Sequence, residues 1–183
     1  TNARTLTLTN ITSNNVGAKV ISVTGVSNTA NVRIAGDITD GAGSISIVKN
    51  GSNILTLAGT NNYSGGVTVN AGTLLLNSAT ALGGGTLTLA GGTIGSSAAT
   101  TLSTNNVQNW NTNFGFGGSA DLNLGTGAVT LSGNRTINMV GTTTGGVGPQ
   151  ITVGGDIGGA FSLTTYNSSA GNTGVTTILN LDG

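Results

Sequence analysis

Every apolar stretch in this 183-residue chain alternates with a period of two and gives way within a few residues to Gly- or Asn-bearing corners. Leu55 and Leu57 bracket Thr56, Val67 and Val69 bracket Thr68, and Leu74 and Leu76 bracket Leu75. The alternation recurs at Leu6/Leu8, Val32/Ile34, Ile45/Ile47, Leu87/Leu89, Leu122/Leu124, Val129/Leu131, Ile137/Met139, Ile151/Val153 and Leu179/Leu181. A period of two sends successive side chains to opposite faces, which marks half-buried strands. Each stretch is too short for a helix, and no amphipathic helix can be read anywhere. Between the strands, residues 59–66 and 70–72 supply Gly and Asn, which tolerate the positive φ of sharp corners. Three strands and three corners fit into about 25 residues, the size of one solenoid rung.

Composition narrows the class. The chain has 33 Gly, one Pro, 3% aromatic and 5% charged residues. Ordinary globular domains are about 25% charged, and disordered chains need charge and few β-branched residues. Thr, Val, Ile and Asn dominate here instead. β-Branched residues suit pleated surfaces, and Asn and Thr form hydrogen-bonded ladders when rungs stack. The expected fold is therefore all-β: a parallel β-helix (β-solenoid) of about seven or eight rungs at roughly 22 to 25 residues each. Parallel crossovers favour the right-handed form. At about 4.8 Å per rung, the rod would be roughly 35 to 40 Å long.

Within residues 49–77, the order L-T-L, then Asn61-Asn62-Tyr63-Ser64-Gly65-Gly66, then Ala71-Gly72-Thr73-Leu74 carries a more specific signal. This segment resembles the autotransporter-associated β-strand repeat, or passenger-associated transport repeat, of bacterial surface proteins. It departs from the pattern at Asn53, where Gly is usual, and at Val67, where Thr is usual. A block often found with the repeat resembles Trp110, Asn113-Phe114-Gly115-Phe116-Gly117, and Leu122-Asn123-Leu124-Gly125 through Arg135-Thr136. The resemblance implies a structural corner built from Tyr63, Gly65, Gly66 and Gly72. It also implies an extracellular location at the bacterial cell surface.

Charge and residue types exclude other classes. Five Lys and Arg balance five Asp, leaving no basic patch for phosphates, so nucleic acid is not an expected partner. Cys and His are absent, which fits a chain exported unfolded but assigns no compartment. No stretch approaches the ~18 apolar residues of a membrane span, and no signal peptide is visible. The first residue is Thr rather than Met, as expected of a mature or excised chain.

A longer period lies above the rungs. Gly36-Asp37-Ile38 recurs as Gly155-Asp156-Ile157, Arg4-Thr5-Leu6 as Arg135-Thr136-Ile137, and the segment from Ile54 as that from Ile178, at offsets of 119, 131 and 124 residues. Residues 1–183 thus read as a single β-solenoid segment of about one and a half copies of a long repeat, part of a longer or polymeric assembly. Neither end shows a cap, so each is expected to stack on another rung.

Individual residues offer competing readings. Tyr63 and Tyr166 could present rings to a sugar, although Tyr63 lies in the corner motif and reads as packed. Trp110, Phe114 and Phe116 could form a ligand or lateral contact, or an inward-facing strand. Asp37 and Asp40 are the only close carboxylate pair, and no Glu, His or Cys stands by as acid, base or nucleophile, so no catalytic residue and no enzyme activity are expected. The run Gly117-Gly118-Ser119-Ala120-Asp121 is similar to a calcium-binding turn but is neither tandem nor complete, so no metal or other cofactor is expected. Paired Thr at Thr5/Thr7/Thr9 and Thr86/Thr88 do not recur on enough rungs for an ice-matching face. The function expected is a structural extracellular segment, a stalk or self-associating fibre partnered by copies of itself or adjoining repeats. The alternative is an adhesin module binding glycan or protein through an exposed ladder or the Trp110 region.

Overall fold

The structure, a computed structural model, describes residues 4–26, 30–141, 148–167 and 179–181. It holds strands and turns and, among the described residues, no helix. The strands run in chain order as β1 (Arg4–Leu8), β2 (Ile11–Thr12) and β3 (Lys19–Val23); β4 (Ala30–Ile34), β5 (Ile38–Thr39) and β6 (Ile45–Lys49); β7 (Ile54–Leu57) and β8 (Val67–Val69); β9 (Thr73–Leu76) and β10 (Leu87–Leu89); β11 (Thr93–Ser96), β12 (Thr100–Thr101) and β13 (Gln108–Trp110); β14 (Phe114–Gly118), β15 (Leu122–Asn123) and β16 (Val129–Leu131); β17 (Arg135–Gly141), β18 (Ile151–Val153) and β19 (Ile157–Gly158); and β20 (Leu163–Asn167) and β21 (Leu179–Leu181).

Each group of strands lies on the one before it, and all the strand pairs are parallel. One sheet runs β1-β4-β7-β9-β11-β14-β17-β20 and a second β19-β16-β13-β10-β8-β6-β3. Shorter ladders, β12-β15-β18-β21 and β2-β5, lie along the rest of the coil. This is a β-solenoid. Counted from a strand to its equivalent, the path from β3 to β19 closes six turns and the first sheet stacks eight strands, against the seven or eight rungs expected for the whole chain. The spacing is uneven: Leu55 to its partner Leu74 is 19 residues, whereas Met139 to its partner Asn167 is 28. The corners absorb that difference while the paired strands keep their register.

The core is a set of stacked columns. Val32, Leu55, Leu74, Ile94, Phe116 and Met139 pair in register through six strands of the first sheet. In the second sheet Val67 and Val69 pair with Leu87 and Leu89. The alternation predicted from sequence is the observed one: β6, β7, β8, β9 and β10 all alternate buried and half-buried positions. Each fully buried Leu or Ile contributes about 1.5 to 3 kcal/mol, so these columns carry the fold, each rung leaning mainly on its neighbours.

Candidate functional site

The corner after β7 is built around a packed ring. Tyr63 is 1% exposed, and its hydroxyl donates to the Ala81 carbonyl one rung on at 3.1 Å. Burial pushes the phenol's pKa up, so it stays a neutral donor. Gly66 has φ +79°, and Gly72, in the next corner between β8 and β9, has φ +69°. Gly65 is needed for a different reason from the one its motif suggests. Its φ is not positive, but a Cβ there would lie 2.5 Å from the Ile45 carbonyl oxygen.

Two further polar side chains brace the corners here, Asn61 the one after β7 and Lys49 those before β7 and after β8, and the residue pattern marked neither. Lys49 occupies an inward position between Val23 and Val69 and is fully buried. Its aliphatic stem fills the column while Nζ donates to the carbonyls of Gly51 and Ala71. Desolvation pushes its pKa down. Asn61 accepts from the Ile38 N–H of the preceding rung at 2.9 Å and donates to the Ala81 carbonyl of the following one at 2.8 Å. It therefore clamps three rungs.

A recurring link joins the other corners. A side-chain oxygen of Asn or Asp accepts from a backbone N–H one rung later: Asn10 from Asp37, Asn31 from Ile54, Asp37 from Thr60, Asn113 from Thr136, Asp121 from Gln150 and Asn134 from Ser162. Asp40 makes the densest version. Its Oδ2 accepts from the Ser64 N–H at 2.9 Å and from the Ser64 hydroxyl at 2.5 Å, and Oδ1 accepts from the Ile45 N–H at 2.6 Å. The Ser64 hydroxyl, with the backbone donors behind it, holds the Asp40 carboxyl below its ordinary pKa. The carboxylates that sequence inspection weighed for catalysis or calcium, Asp37, Asp40 and Asp121, are thus engaged in links between rungs. Among the described residues, no group of three or more acidic side chains comes together as a metal site.

The aromatic block lies inside. Trp110 and Phe116 are fully buried and Phe114 is 3% exposed. Trp110 and Phe114 meet edge to face with centroids 5.0 Å apart, and the indole N–H donates to Gln108 Oε1. These three rings take the inward-facing reading rather than the contact one, because their positions belong to the buried half of β13 and β14. Tyr166 alone among the singled-out aromatics is exposed, at 60%. Thr68 and Thr88 stand side by side, but Val48 and Asn109 flank them, so the Thr column ends after two rungs.

Among the described residues, an open apolar surface lies at the end of the coil formed by β1, β2 and β3. Each of these strands has a partner on one side only. Leu6 sits in the innermost column, paired with Val32, yet is 57% exposed; Val32 is half-buried, and Leu55 one rung deeper is fully buried. A cavity of about 410 Å³ opens there, lined by Leu6, Leu8, Ile21, Val23, Val32 and Ile34 among others. A second of about 190 Å³ lies beside Ile11, Ile21 and Ile45. Among the described residues nothing lies over Leu6 and Leu8 as a cap. The Leu179 and Leu181 side chains, expected to form the opposite uncapped end, lie outside the described ones.

Residues 47–76 match the family model described as a passenger-associated-transport-repeat. That is the family the Tyr63 corner motif resembles, and the match covers the segment from β6 to the end of β9. No curated protein and no solved structure matches the chain.

Proposed function

We propose that this chain is a structural segment of an exported bacterial surface protein, a β-solenoid spacer or fibre element whose turns continue into further turns at its ends. The observation that carries this reading is the burial gradient at the β1–β3 end, where the core column runs out into solvent at Leu6 instead of closing under a polar cap. An apolar column and three one-sided strands are what another parallel rung would cover. The passenger-repeat match supports an extracellular, surface-exposed setting. The continuing turns come from adjoining repeats of the same chain or from further copies of it. Residues 1–183 then act as one solenoid segment, about one and a half copies of the long repeat.

Nothing in this role requires catalysis or a cofactor, and the carboxylates weighed for them serve as links between rungs. Recognition through Trp110, Phe114 and Phe116 would need rings that are interior. Electron microscopy of the native assembly tests the proposal: rods or filaments with a rung spacing near ~4.8 Å along the axis are expected. Compact particles with the β1–β3 end covered by a non-solenoid domain would contradict it.

A further inference from the structure

The outer face of the eight-stranded sheet carries a feature that an inert spacer does not need. Its register stacks Thr93, Gly115, Asn138 and Tyr166 in one outward column. Gly95, Gly117 and Val140 form the next. Of these glycines Gly115 floors a trench-like hollow of about 360 Å³, which opens between Thr93, Asn113, Thr136, Asn138, Val140 and Tyr166 and is one side chain deep at Gly115.

The glycines have unequal structural reasons for being there. None of the three has a positive φ, so backbone conformation does not select them. A Cβ on Gly95 would overlap the Gly117 carbonyl oxygen, and glycine is obligatory. On Gly115 its three nearest atoms would all belong to the Thr93 side chain, with Oγ1 at 2.6 Å, an atom that rotation about χ1 can carry away. Glycine in a strand interior weakens the strand and leaves nothing to pack. At Gly115 its clearest effect is to keep the trench floor bare.

The walls are polar and under-used. Asn138 Oδ1 is buried without a hydrogen-bond partner, although buried polar atoms are nearly always bonded. Asn113 spends Oδ1 on the Thr136 N–H, and its amide nitrogen, like the hydroxyls of Thr93 and Thr136, has no partner among the described residues. No charged side chain lines the hollow. Tyr166, 60% exposed, places an aromatic face beside these groups. A peptide cannot add here as a strand, since β11, β14 and β17 are each paired on both sides.

We propose that this trench binds a neutral saccharide. Sugar hydroxyls both donate and accept, matching the Asn113 amide nitrogen and the hydroxyls of Thr93 and Thr136. The positively polarised C–H face of a pyranose complements the electron-rich face of the Tyr166 ring. The absence of charge in the lining selects against uronic or sialic acids. The proposal is independent of whether the ends continue into further turns.

Calorimetric titration of the 183-residue chain with neutral hexasaccharides of glucose, mannose and N-acetylglucosamine, and with hexagalacturonate as the charged comparator, tests it. Binding of at least one neutral probe is expected, with hexagalacturonate weaker. Gly115→Thr, which fills the trench, and Tyr166→Ala, which removes an exposed ring, are each expected to weaken that binding by about tenfold or more, the factor that about 1.4 kcal/mol carries. Tyr166→Ala keeps the test decisive if Gly115→Thr fails to fold. No binding of any neutral probe at millimolar concentration, preference for hexagalacturonate, or unchanged affinity in folded variants would overturn the proposal.

Discussion

At Gly66, backbone and packing act together. Its φ of +79° is one a β-branched residue adopts only under strain, and a Cβ there would lie 2.6 Å from the Thr86 carbonyl oxygen. Gly66→Val should therefore cost on the order of 3 kcal/mol. Two residues away, Thr68 faces outward from β8, and Thr68→Ser should stay within about 0.5 kcal/mol. Urea unfolding of the two variants gives the comparison, and equal midpoints would mean that the corner is placed wrongly. Gly65→Val should also destabilise, but through collision with Ile45 rather than through φ. Lys49 shows what periodicity hides at this scale: Ile45, Ile47 and Lys49 share the inward phase, yet a period-two pattern does not say that a cation will fill a core position. Its long stem and the nearby corner carbonyls make that position tenable.

The elements are tied by corner links as well as by ladders, and these respond to conditions. Asp40 is held below its ordinary value near 3.8, mainly by the Ser64 hydroxyl. A carboxyl depressed in the folded state contributes stability that is present above its unfolded pKa and lost as pH falls through the folded one. Melting temperature should thus fall as pH is lowered below about 4, and Asp40→Asn should shrink that fall while lowering stability at neutral pH. A melting curve with the same acid dependence in the variant would contradict this role. Asp121 gives a second check. Its Oδ1 accepts from the Gln150 N–H at 2.8 Å, so removing calcium with a chelator should leave the melting temperature unchanged, whereas a drop of several degrees would reveal a bound ion. The strands themselves were legible in the sequence because alternation is local, and the packed Tyr63 corner because its motif is contiguous. The Asn and Asp links were not, since donor and acceptor lie 23 residues apart at Asn31 and Ile54 and 29 apart at Asp121 and Gln150. Uneven corner lengths likewise leave no local mark, so alternation in the sequence yields only a mean rung spacing.

The whole molecule is a stack whose members rest on their neighbours, so its weakest places are where a neighbour is missing. Inside the coil Leu55, Leu57, Leu74 and Leu76 are fully buried; at the β1–β3 end Leu6, in the same inward column as Leu55 and Leu74, is 57% exposed. One further rung laid on β1 and β3 would restore the missing partners and cover the 410 Å³ cavity. The trench around Gly115 belongs to a different surface, the side of the rod, and leaves the axis free. Sedimentation velocity of the 183-residue chain over a wide concentration range, beside Leu6→Lys, tests the axial claim most directly. Leu6→Lys puts a charge into the exposed column while touching a position whose burial is incomplete. Concentration-dependent, end-to-end association is predicted for the unaltered chain and its loss in a still-folded Leu6→Lys variant. A unaltered chain that stays a monodisperse monomer at high concentration would contradict the account.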